Sequence, residues 1–294
     1  MENVEKKGPI NIGLILQLTL VFIITQALGI FVASLFIQYD FKATPLITDN
    51  PEDVVNSLGL IVWIILFSGI LLLMIKFLKE KFLYIVLKII ESFAVFGTAY
   101  LISSVLLLTF TGMAEVAEFA GILFGLGLVL LRVFFAKDVL LRNITSVLAT
   151  AGAGALIGVS LGVLPVIVLL ILLAAYDFIA VFKTKHMVSL AKNVTSKNLS
   201  FTYALPTPEH QFELGTGDLV MPLVFASSVL AVSQQTFSFP FYFVPSLVIL
   251  FASYIGLAIT LDYVSRKPGT ALPALPPQTA LMLFAFALLK LAGF

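Results

Sequence analysis

Nine apolar runs fix what this chain can fold into. They lie at roughly residues 11–37, 57–78, 82–110, 119–135, 139–161, 164–182, 214–233, 241–261 and 272–291. The hydrocarbon core of a bilayer is about 30 Å thick, and a helix needs roughly 20 apolar residues to cross it. Inside that core every backbone N–H and C=O must be satisfied within the protein, which a helix achieves segment by segment. The runs therefore predict an all-α, polytopic membrane protein with about nine transmembrane helices. Only 11% of the residues are charged, too few to cover a soluble surface. The net charge of +1 argues against a nucleic-acid partner, and the absence of cysteine excludes disulfide and thiol chemistry. The first run is too long for the roughly 7–15-residue apolar core of a signal peptide and is expected to be a first span.

Charge sets the predicted orientation. Cytoplasmic loops carry excess Lys and Arg. With Lys6 and Lys7 placed inside, the other inside loops hold Lys76, Lys79 and Lys81; Arg132, Lys137 and Arg142; Lys183, Lys185, Lys192 and Lys197; then Arg266 and Lys267. The opposite loops hold Asp40, Asp49, Glu52, Asp53, Glu115 and Glu118, with Lys42 as their basic residue. This alternation predicts a cytoplasmic N-terminus and an outside C-terminus. The chain divides into spans one to six (1–182), a flexible cytoplasmic loop (183–213) and spans seven to nine (214–294), all one integral membrane domain. The loop is polar and basic and contains Pro206 and Pro208. Small residues at helical spacing, Gly121 and Gly125, then Gly154, Gly158 and Gly162, predict close helix packing.

Ionisable residues inside spans are the functional candidates. Lys88 and Glu91 stand one helical step apart and are expected to pair, and Arg132 to snorkel to the surface. Asp262 and Arg266 read as an interfacial pair. Asp177 and Asp218 remain. Asp177 lies six residues before Lys183, or about 9 Å along a helix, and Asp218 about five residues into span seven, or about 7 Å. Spans six and seven are consecutive and antiparallel, so the two carboxylates can face each other at one level near the cytoplasmic surface. Two facing carboxylates cannot both ionise cheaply and share one proton. Such a pair can activate water and protonate a carbonyl, as aspartic proteases do. On the carboxylates alone, a proton- or cation-coupled transporter is the stronger reading, and a non-catalytic scaffold is a third.

The local words change that order. Tyr176-Asp177 lies in span six, Gly215-Thr216-Gly217-Asp218 opens span seven, and Pro273-Ala274-Leu275 opens span nine. Their order and their spans resemble the presenilin and signal peptide peptidase family of intramembrane aspartyl proteases. The resemblance implies that Asp177 and Asp218 are catalytic, that Pro273, Ala274 and Leu275 shape the site, and that Tyr176 supports Asp177 or a substrate. It implies substrates that are transmembrane proteins or peptides, within a lipid bilayer of the cell membrane, cut from the cytoplasmic side. Self-association into a homo-oligomer stays open. Two features depart from the family pattern: Thr216 stands where Leu is common, and the loop between the Asp residues is short, which speaks against internal cleavage there. Gly215 and Gly217 let backbone approach backbone and weaken the helix start, so an extended peptide could be received there.

Other motifs carry less. Gly158-Val-Ser-Leu-Gly162 matches a nucleophile elbow but has no histidine near it in the sequence. The two histidines, His186 and His210, both lie in the loop and lack the helical spacing of a zinc pair. No metal and no cofactor are expected.

Overall fold

A computed structural model of the chain describes residues 12–43, 47–184, 201–206, 211–266 and 272–294. It contains α1 (Ile12–Gln38), α2 (Val54–Phe77), α3 (Glu80–Thr111), α4 (Ala114–Phe134), α5 (Val139–Ser160) and α6 (Val163–Ile179), which runs on into a π-helical turn at Ala180–Thr184. Then come β1 (Thr202–Pro206), β2 (Gln211–Gly215), α7 (Gly217–Thr236), α8 (Val244–Ser265) and α9 (Leu275–Leu291). Eight of these helices are long and apolar enough to cross a membrane, and α9, with 17 residues, is a shorter apolar helix. The all-α polytopic expectation thus stands.

Local chemistry explains the ends. Asp53 caps α2 by accepting from the Val55 N–H at 2.9 Å, and Asp138 caps α5 through the Leu141 N–H at 2.8 Å. Gly112 closes α3 with φ 66°, the left-handed conformation glycine adopts freely. α4 begins at Ala114, not near 119. The acidic Glu115 and Glu118, read from sequence as loop, belong to its first turns, where the helix dipole favours negative charge.

Glycines set how the helices meet. A Cβ on Gly158 would stand 2.5 Å from both Ser227 Cβ and Val224 O, and one on Gly154 would stand 2.9 Å from Leu223 Cγ, so α5 crosses α7 at backbone contact. Gly125 does the same for α4 against Phe96 of α3. Gly162 sits under Glu52 of the α1–α2 connection instead. The main core joins α1, α5, α7 and α8 through residues such as Ala33, Ala155, Phe225 and Ile249.

Between α3 and α4 lies a buried ion cluster. Glu91 accepts from Lys88 Nζ at 2.5 Å and from Arg132 Nε at 3.0 Å. Arg132 is 2% exposed, so it does not snorkel. The close α3–α4 packing brings Glu91 within its reach, and its Nη1 donates to the Ala136 carbonyl at 2.6 Å.

The connector over 183–213 is the main departure from the expected flexible loop. Residues 185–200 and 207–210, with His186 and His210, lie outside the described residues. Thr202–Pro206 and Gln211–Gly215 form an antiparallel β1–β2 hairpin that pairs Thr202 with Gly215, Tyr203 with Leu214 and Ala204 with Glu213. Tyr203, Ala204 and Leu205 are buried. Tyr203, Leu205 and Leu214 pack with Leu14, Leu18 and Phe22 of α1, and that apolar contact orders what composition suggested was a loop.

Candidate active site

Three helix ends meet around the two aspartates. Asp177 occupies the last turn of α6. Asp218 is the second residue of α7, nearer the helix start than the five residues expected, because strand β2 runs to Gly215 before the helix begins. Both side chains are half-buried, and the two helices that carry them pack against each other. The head of α9 completes the junction: the Leu275 N–H lies 3.4 Å from Asp177 Oδ2. It is a first-turn amide without an intrahelical acceptor, the kind of donor a carboxylate engages at a helix start.

The surroundings keep one side of this junction open. A Cβ on Gly215 would touch Asp218 Oδ2 at 3.4 Å, and one on Gly217 would meet nothing within 4 Å. Pro222 lies inside α7 and has no N–H to offer the Asp218 carbonyl four residues earlier. Thr216 is held by the hairpin, its N–H and its hydroxyl each donating to the Phe201 carbonyl at 3.1 Å.

The head of α9 is fixed from behind. Gly256 of α8 brings Gln278 so near that an added Cβ would stand 2.9 Å from its backbone N, and the buried Ser253 hydroxyl donates to Gln278 Oε1 at 2.8 Å. Pro273 and Ala274 are buried, and Leu275 packs with Ile61 of α2 and with Leu169 and Leu173 of α6. All the sequence-derived site residues except Tyr176 therefore lie at the junction or in its walls. The Tyr176 hydroxyl hydrogen-bonds Ser68 Oγ of α2 at 3.1 Å.

The hairpin brings in residues that sequence reasoning passed over. Glu213 accepts from buried Arg142 of α5 at 2.5 Å, from Thr202 at 2.7 Å and from Gln211 at 2.5 Å. Its neighbour on α5, Asn143, pairs with the Ala204 backbone in both directions at 2.9 Å. The alternating polar and apolar residues of 211–215, Gln-Phe-Glu-Leu-Gly, were the available signal for a strand.

A helical membrane bundle with two carboxylates meeting at its helix ends defines a class, the polytopic membrane protein with a paired-acid centre. Residues 19–214, more than half of the chain, match the family model for signal-peptide peptidase and presenilin aspartyl proteases, and the chain belongs to that family. The match stops one residue before Gly215. The fold is similar to a solved presenilin-family intramembrane aspartate protease in its C222 crystal form, with a TM-score of 0.63 at 24% identity over 93% of this chain and 95% of that one. In its P2 form the TM-score is 0.67 at 25% identity, over 96% of this chain and 98% of that one. No individually curated protein matches the chain. The chain is thus an integral membrane protein and an intramembrane aspartic endopeptidase acting on membrane proteins in the bilayer. The transporter alternative finds no support.

Proposed function

We propose that Asp177 and Asp218 are the catalytic pair of this protease, opening to the cytoplasmic side of the cell membrane. One observation supports the reading: the Leu275 amide at the head of α9 lies 3.4 Å from Asp177 Oδ2 of α6, and α7, which carries Asp218 in its first turn, packs against both of these helices. Both carboxylates come from one chain, so the chemistry requires no second copy.

The pair carries one proton. The ionised carboxylate takes a proton from a water held between the two, and that oxygen attacks the scissile carbonyl carbon. The protonated carboxyl gives its proton to the carbonyl oxygen, forming a neutral tetrahedral diol. Proton return to the leaving nitrogen breaks the C–N bond, releases the acid and amine ends, and restores the shared proton. Pro273, Ala274 and Leu275 shape one wall, and Gly215, Thr216 and Gly217 shape the other. Tyr176, tied to Ser68, acts on the site through the packing of α6 on α2.

A helical amide is shielded from attack, so the substrate must be extended where it is cut. Antiparallel alternation turns the N–H and C=O groups of Gln211, Glu213 and Gly215 away from β1, and no further strand lies beyond β2 among the described residues. This edge leads straight to Asp218. The unwound substrate adds to it as a strand.

Transmembrane peptides carrying single amide-to-ester replacements on either side of the scissile bond test this reading. Esters at alternate positions, where a pairing N–H is lost, should weaken cleavage, and a hydroxyl isostere of the scissile amide should inhibit competitively. Cleavage indifferent to every ester would overturn the strand addition, and a peptide isostere that does not bind would overturn the dyad mechanism.

A further inference from the structure

Four backbone groups on the outer edge of β1 are engaged by side chains from helices. The Ala204 N–H donates to Asn143 Oδ1 and its carbonyl accepts from Asn143 Nδ2, both at 2.9 Å. The Thr202 carbonyl accepts from Ser146 Oγ at 3.4 Å, and the Pro206 carbonyl from Gln17 Nε2 at 2.8 Å. Pro206 has no N–H to offer. A primary amide presents one donor and one acceptor side by side. Asn143 therefore does to Ala204 what a neighbouring strand would do. Its position is fixed, since Arg142 beside it on α5 grips Glu213 of β2.

An unpaired strand edge is a template for any extended peptide. The hairpin has two edges, and only β2 runs into Gly215 and Asp218. A peptide paired to β1 would lie three strand spacings, about 14 Å, from one paired to β2, and would tie up substrate without cleavage. We infer that Asn143, aided by Ser146 and Gln17, is a positioning residue that caps β1 and so confines the substrate to the β2 edge in one register. This rests on the strand addition argued above. It makes Asn143 a determinant of which bond is cut, through the hairpin and without touching the reacting atoms.

The test compares wild type with Asn143→Leu, Asn143→Asp and Ser146→Ala on one transmembrane peptide. KM, kcat and the masses of all products are measured, and the ester-containing peptides are run in parallel. Asn143→Leu keeps size but loses both hydrogen bonds. It should raise KM about tenfold, equivalent to about 1.4 kcal/mol, and spread cleavage over neighbouring bonds, with kcat within a few-fold of wild type. Asn143→Asp can accept from the Ala204 N–H but cannot donate to its carbonyl, so it should fall between. Ser146→Ala should show the smallest spread. Wild-type KM and a single unchanged product in Asn143→Leu, with ester sensitivity retained, would overturn the cap and leave strand addition standing. Loss of ester sensitivity in wild type would instead remove the premise. Should Asn143→Leu not fold, the Asp and Ser146 variants carry the comparison. A fall in their melting temperature and kcat with an unchanged product pattern would reduce Asn143 to a structural residue and overturn the proposal.

Discussion

Glu91 is 1% exposed and compensated on two sides, by Lys88 and by Arg132. Removing one member of such a cluster leaves uncompensated charge in a low-dielectric site, at a cost of about 3–5 kcal/mol. Glu91→Leu should therefore lower the melting temperature of the purified protein sharply. Replacing Lys88, Glu91 and Arg132 together by Met, Leu and Met should recover much of that loss. A triple variant no more stable than Glu91→Leu would show that the charges do more than compensate one another. Tyr203 is a different case. Burial pushes its phenol up to about 12, above the ordinary value of about 10. The folded state keeps this proton to higher pH than the unfolded state, so stability should fall as pH rises from about 10 to about 12. Tyr203→Phe should flatten that fall, as urea unfolding across the range can establish. The two aspartates were legible in the sequence because a carboxylate in an apolar run is costly and demands a reason. Tyr203 and Asn143 were not, because polar residues in a loop or at a helix start demand none.

Among the elements, α5 and α7 matter most to the site, because α7 carries Asp218 and α5 both crosses it and holds the hairpin that feeds it. Gly158→Val would drive two methyl groups into Ser227 and the Val224 carbonyl. It should push the helices apart, lower the yield of folded protein and reduce cleavage at least tenfold. Gly127→Ala, where a Cβ meets nothing within 4 Å, should change neither. Equal behaviour of the two variants, in gel-filtration profile and cleavage rate, would contradict the crossing. Spacing alone announced this contact, since glycines four apart on a span have few other uses. The hairpin was hidden by its own composition. Pro206, Pro208 and a run of lysines read as solvated chain, and the burial that orders Tyr203 and Leu205 comes from α1, nearly two hundred residues earlier, which no local window contains. The start of α7 was misjudged for the same reason, since only the strand before it explains why the helix waits until Gly217.

For the whole molecule, the alternation of Lys and Arg makes a prediction about sidedness that the helices do not make by themselves. A reporter inserted in the 185–200 stretch should lie in the cytoplasm, and one fused after Phe294 should lie outside. Both on one side would contradict nine crossings. The bundle's architecture was readable from nine apolar runs, because the bilayer leaves so few ways to satisfy a backbone. How α6, α7 and α9 converge was readable only as far as their three short words named it. The central claim is that this convergence makes a two-aspartate protease. The most direct measurement is cleavage of a transmembrane peptide by purified wild type, Asp177→Ala and Asp218→Ala, each with its melting temperature recorded. Wild type should cut, with a bell-shaped pH dependence because one carboxylate must be ionised and the other protonated. Each variant should fold as stably as wild type and cut nothing. Substantial cleavage by either folded variant would contradict the account.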